Sequence, residues 1–165
     1  MIIPHVAQHL PNLIFETLLF LPKGNTEMSK PVSAKMGIKE NVRAIFVDAP
    51  ADAIKSIDPP TLNVASRLQG TFDYIHLFSG KQKALQKKFP KLKAHLKGQG
   101  ALWVSWPKAK QQETDLTLTT VIKIGYDYGL VESKTLSIDK IWSAIKFTHP
   151  KKGKVYNNSY GTLKK

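Results

Sequence analysis

Two short stretches limit what this chain can fold into. Ala44–Val47 and Ala101–Trp106 are apolar at almost every position. A strand with one wet face alternates polar and apolar residues, whereas a strand without alternation must be covered on both faces. Between the two lies "KQKALQKKFPKLKAHLK", where Leu85, Phe89, Leu92 and Leu96 recur at i, i+4, i+7 and i+11, the period of an amphipathic helix. Pro90 is expected to bend that helix or to start a second one, and Gly98-Gln99-Gly100 to end it. Strand, helix and strand in succession imply parallel pairing through a crossover.

The rest of the chain extends the alternation. "ADAIKSI" reads as a short helix, "TLNVAS" as a weak strand and "FDYIHLFSG" as a β-rich run. "DLTLTTVIKIGYDYG" reads as a helix capped by Thr117 or Asp115 and stopped by Gly129. "LVESKTLSI" and "WSAIKFTH" flank Asp139-Lys140, too few residues for a crossover, so they form an antiparallel hairpin. The interval from Ser66 to Phe72 spans only about 17 Å when extended. "TLNVAS" is therefore either very short or antiparallel. The expected fold is α/β, a Rossmann-like three-layer domain whose mainly parallel sheet ends in an antiparallel C-terminal hairpin.

A length of 165 residues suits one domain with a full core. Residues 1–27, cut by Pro4, Pro11 and Pro22, read as an N-terminal extension, with a helix over residues 12–21. Residues 28–150 carry the α/β domain, and 151–165 read as a basic C-terminal tail. With no Cys, disulfides and thiolate chemistry are excluded. Leu13–Leu21 is short, contains Glu16 and follows no basic residue, which makes a poor signal peptide. The expectation is a cytoplasmic protein without membrane contact.

The formal charge of +13 is concentrated. No acidic residue lies between Asp73 and Glu113, and Lys81–Lys110 holds nine lysines. Such a localised basic surface invites anions: a small anionic or nucleotide-like ligand, a nucleic acid or an acidic protein. Lys81, Lys83, Lys87, Lys88 and Lys91 are the anion-binding candidates. Counterion release would make nucleic-acid binding weak and salt-dependent, and few aromatics are interleaved for base stacking.

"KMGIKENVRAIFVDAP", "FDYIHLF", "GALWVSWPK", "TDL" and "WSAIKF", in this order, resemble an uncharacterised bacterial domain-of-unknown-function family of methyltransferase-type, Rossmann-like layout. The similarity runs from about Ser33 to Pro150, with Asp48 standing where that family more often has Asn. The resemblance implies the fold and brings no catalytic residue.

A Rossmann-type site uses a glycine-rich turn after the first strand, so that backbone N–H groups can approach a phosphate or carboxylate. Here the turn is "DAPADA", without glycine, and no acidic residue follows "NVAS" to hold a ribose. No cofactor and no metal are assigned, and S-adenosylmethionine or nicotinamide nucleotides are expected not to bind more tightly than about 10 μM. In open α/β sheets ligands sit beyond the carboxyl ends of the strands. That rule selects Asp48, Ser79, Ser105, Trp106 and Lys108, with Asp115 and Trp142 nearby. The leading expectation is a ligand-binding domain for a small or nucleotide-like anion. Nucleic-acid or acidic-partner binding is the alternative, and an atypical methyltransferase-like enzyme the second alternative.

Overall fold

The computed structural model describes residues 29–164, and the expected helix over 12–21 lies outside them. From Pro31 onward the chain forms one compact unit. Its strands are β1 (Arg43–Val47), β2 (Asn63–Val64), β3 (Phe72–Phe78), β4 (Leu96–Pro107), β5 (Val131–Ser137) and β6 (Trp142–Thr148). Its helices are α1 (Val32–Met36), α2 (Ala51–Ile57), α3 (Gln82–Ala94) and α4 (Leu118–Asp127). The strands form one sheet in the order β2-β1-β3-β4-β6-β5. β1 pairs in parallel with β2 and β3, and β3 with β4. β6 runs antiparallel to both β4 and β5. This is the expected three-layer α/β fold, mostly parallel and closed by an antiparallel pair.

Alternation along the central strands sorts the core into two layers. Ile75 and Leu77 of β3, with Leu102 and Val104 of β4, pack beneath Leu85 and Phe89 of α3. Tyr74, Phe78 and Trp103 point to the other face and meet Met36, Ala53 and Ile57 from α1 and α2. β2 is the very short alternative, two residues that pair with Arg43 and Ala44.

Three local expectations change. Pro90 neither breaks nor restarts α3, which runs through it as one helix. The carbonyl that loses its donor is that of Gln86, on the exposed face, while Leu85, Phe89 and Leu92 hold the buried stripe. Gly98–Gly100 does not end the helix; α3 stops at His95, and the glycines lie within β4. At Gly100 a Cβ would sit 2.8 Å from Leu96 Cδ1 and 2.9 Å from the Phe72 carbonyl, so the strands approach too closely there for a side chain. The third change is an addition: α1, only five residues long, precedes the first expected strand.

The hairpin turn is built by one carboxylate. Asp139 Oδ1 accepts from the N–H groups of Ile141 (2.8 Å) and Trp142 (2.9 Å), and Ile138 N–H donates to the Trp142 carbonyl (2.9 Å). The C-terminal segment, read as a basic tail, lies against the domain: Asn158 donates to Glu132, and Tyr156 and Leu163 pack on the α3–α4 core.

α4 touches the sheet through Gly125, where an added Cβ would fall 2.1 Å from Phe147 Cε1. Phe147 is fully buried and has no room to withdraw. Gly125→Ala is expected to destabilise the fold by about 1–3 kcal/mol through overpacking, despite a better helix propensity. Urea denaturation of the pair of proteins checks this, and an unchanged midpoint would show that α4 can lift.

Candidate functional site

The chain leaves β1 for β2 on one side and returns to β3 on the other, so strand order reverses between β1 and β3. Ligands of open α/β sheets bind outside the carboxyl ends of the strands at such a reversal. Two turns stand at this edge, Asp48-Ala49-Pro50 after β1 and Ser79-Gly80-Lys81 after β3. Asp48 has φ 54°, a left-handed conformation that glycine adopts most easily. The tight turn therefore forms without glycine, and Ala49 and the Pro50 ring occupy its surface.

Each candidate at this edge has a definite partner. Asp48 forms an ion pair with Lys88 of α3, both side chains about half exposed. Ser79 Oγ donates to the Lys81 carbonyl at 3.2 Å, and Lys81 Nζ donates to the Glu113 carbonyl. Asp115 caps α3 rather than α4: its Oδ1 accepts from Gln82 N–H at 2.8 Å, and its carbonyl accepts from Gln82 Nε2 at 2.9 Å. Thr117 caps α4 through the Thr120 N–H. Thr114 Oγ1 donates to the Gly80 carbonyl at 2.7 Å. The segment after β4 is thus stitched to the β3–α3 turn, although Ala109, Lys110, Gln112 and Glu113 all adopt positive φ.

The remaining candidates make their contacts elsewhere. Lys108 Nζ donates to Ser137 Oγ and the Asp139 carbonyl, tying the end of β4 to the hairpin. Trp106 packs on the α3–α4 face, and Trp142 on the opposite face, edge-on to Phe78 at 5.1 Å. Ser105 is wholly buried.

Ser105 instead ends a hydrogen-bonded chain that the sequence reading missed. Tyr74 Oη and His76 Nδ1 lie 2.6 Å apart, and His76 Nε2 and Ser105 Oγ 2.7 Å. A neutral imidazole has one N–H, so one hydroxyl donates to it and the other accepts. His76 stacks on Phe78 at 4.4 Å and on Phe46 at 6.1 Å. Burial lowers its pKa to about 3 and pushes the Tyr74 phenol up. The period-two pattern of "FDYIHLF" already set Tyr74, His76 and Phe78 on one face; that was the available signal.

No family model and no curated relative matches the sequence. Solved structures do share the fold. A 1,6-didemethyltoxoflavin-N1-methyltransferase from Burkholderia thailandensis, with bound 1,6-didemethyltoxoflavin and S-adenosylhomocysteine, is 11% identical, with 74% of this chain and 78% of that chain covered and a TM-score of 0.50. A TehB-like SAM-dependent methyltransferase from Corynebacterium glutamicum is 11% identical over 89% of this chain and 97% of that one, with a TM-score of 0.48. The first of these supports the same fold, a Rossmann-like α/β sheet of the kind that methyltransferase has.

This comparison corrects the partner expectation of a small anionic ligand, a nucleic acid or an acidic protein. The toxoflavin enzyme of the same fold holds S-adenosylhomocysteine and its heterocyclic substrate. The lysine stretch is also partly spent within the chain. Lys81 and Lys88 are engaged as above, Lys93 donates to the Tyr128 carbonyl at 2.6 Å, and Lys97 pairs with Asp73 at 3.1 Å. Lys83, Lys87 and Lys91 are exposed. Among the described residues no helix is long and apolar enough to cross a membrane.

His76 links stability to pH. Its unfolded pKa is about 6.5, so below that value the unfolded chain takes up a proton that the folded chain refuses until about pH 3. Stability is expected to fall by about 2 kcal/mol from this residue alone between pH 7 and pH 5. Urea unfolding at the two pH values, on the protein and on His76→Asn, isolates the effect because the other histidines are common to both. Equal losses in the two proteins would show that His76 takes up its proton in the folded state.

Proposed function

We propose that this protein is a methyltransferase-like domain that binds a ligand of the S-adenosylmethionine class at the carboxyl edge of β1 and β3. The observation that carries the reading is the reversal of strand order at this edge, with Asp48 standing there in a left-handed turn. The fold shared with the toxoflavin methyltransferase supports it.

The residues fit one end of such a ligand better than the other. The Asp48 carboxylate suits an ammonium group and is already held by a cation, the Lys88 ammonium. Ala49 and Pro50 provide a poor cradle for a carboxylate, since proline has no N–H and alanine keeps the backbone at a distance. An S-adenosylmethionine molecule bound here would supply an electrophilic methyl group. The chain's own contribution is to orient the amino-acid end through Asp48 and to hold the rim rigid through the Thr114–Gly80 and Gln82–Asp115 contacts. No side chain is assigned as a catalytic base.

Calorimetry with S-adenosylhomocysteine is expected to give a dissociation constant between about 10 μM and 1 mM, about 4–7 kcal/mol. Asp48→Asn should weaken binding about five-fold, a modest effect because the carboxylate is half exposed. Lys88→Gln should tighten binding by freeing that carboxylate. No binding detectable up to about 10 mM, or an Asp48→Asn variant that binds equally well, would refute the reading.

A further inference from the structure

A hollow lies at the same end of the sheet, beside edge strand β5. It measures about 250 Å³ and is lined by Trp106, Leu118, Thr135, Leu136, Ser137, Ser143 and Ala144. None of these side chains is ionisable. One cation stands at the rim: Lys108 Nζ donates to Ser137 Oγ and to the Asp139 carbonyl. Among the described residues, Thr135 and Ser143 make no side-chain hydrogen bond. Trp106 forms an apolar wall, and Leu118, in the first turn of α4, is 40% exposed. That exposure contributes nothing to the helix start, whose cap is closed by Thr117 and Thr120.

The geometry points to a binding site for a small, uncharged, hydroxylated ring compound. Size sets the scale: an apolar cavity of about 150 Å³ holds benzene, so this hollow admits one ring with polar substituents. Chemistry sets the class. An apolar wall and an exposed leucine take the ring face, and unpaired hydroxyls receive its hydroxyl groups; small-molecule sites combine apolar lining with a few such polar groups. The lining itself offers an anion only neutral hydroxyls, and the ammonium at its rim, Lys108, is held by the hairpin through Ser137 and Asp139. The site goes beyond the cofactor reading above and does not depend on it.

Catechol, benzoate and toluene are the probes, followed by the three indole N–H signals of the ¹⁵N-labelled full chain; a Trp106→Phe variant identifies the Trp106 signal. Catechol is expected to shift that signal saturably at millimolar concentration and to leave Trp103 and Trp142 unmoved. Ser143→Ala and Thr135→Val should each weaken catechol about 3- to 10-fold, the range of one neutral hydrogen bond. Benzoate and toluene should bind at least several-fold more weakly. The proposal is overturned if catechol leaves Trp106 unmoved, if benzoate or toluene binds as well as catechol, or if both hydroxyl variants bind catechol unchanged. Failure of S-adenosylhomocysteine to bind, with the catechol response intact, would remove the cofactor reading alone.

Discussion

Everything in this domain depends on the burial of β3 and β4 from both sides. Their side chains alternate between an α3–α4 layer and an α1–α2 layer, and fully buried residues occur in each. Completely burying one large apolar side chain is worth about 1.5–3 kcal/mol. Two adjacent strands buried on both faces therefore outweigh the weaker elements around them. They carry α3 through Pro90 as one helix, and they anchor a two-residue strand and a five-residue helix that would not persist alone.

The same arrangement separates rigidity from chemistry. The interior carries its own polar chain, Tyr74–His76–Ser105, with partners at both ring nitrogens and an aromatic layer around it. An unpaired buried donor or acceptor would cost about 1–3 kcal/mol, so that chain fixes side-chain orientation between β3 and β4. The carboxyl edge is different. Its ion pair is half exposed and weakly held, and its left-handed residues lie in loops tied down by hydrogen bonds to main-chain carbonyls. A ligand can exchange with such contacts at small cost, which it could not do with the interior.

Much of the fold was legible because its signals are local. Apolar runs at Ala44–Val47 and Ala101–Trp106 indicated the doubly covered strands, and the few residues around Asp139 indicated a hairpin. Helix α1 escaped because five residues carry too little periodicity to be read as a helix. Pro90 misled because its local steric rule is overridden by a stripe of buried neighbours. The candidate site was legible as an edge and not as a set of contacts. Ser105 reads as a strand-end hydroxyl, yet its partner His76 is 29 positions away. Asp115 and Thr117 are equally good caps by type, and only the fold shows that Asp115 serves α3, 33 positions earlier.

The antiparallel hairpin also bears on how the chain finds its fold. β5 and β6 are joined by the Asp139 turn, and hairpins of this kind close in about 1–10 μs. The pairing of β1 with β3, and of β3 with β4, must wait for intervening helices to be placed, and long-range parallel pairing is intrinsically slow. β6 lies in register with β4 over six residue pairs, from Leu102–Phe147 to Pro107–Trp142. A preformed hairpin thus offers β4 a template from the C-terminal side. During synthesis that template emerges last, so β1, β3 and β4 leave the ribosome before the strand that caps their sheet exists.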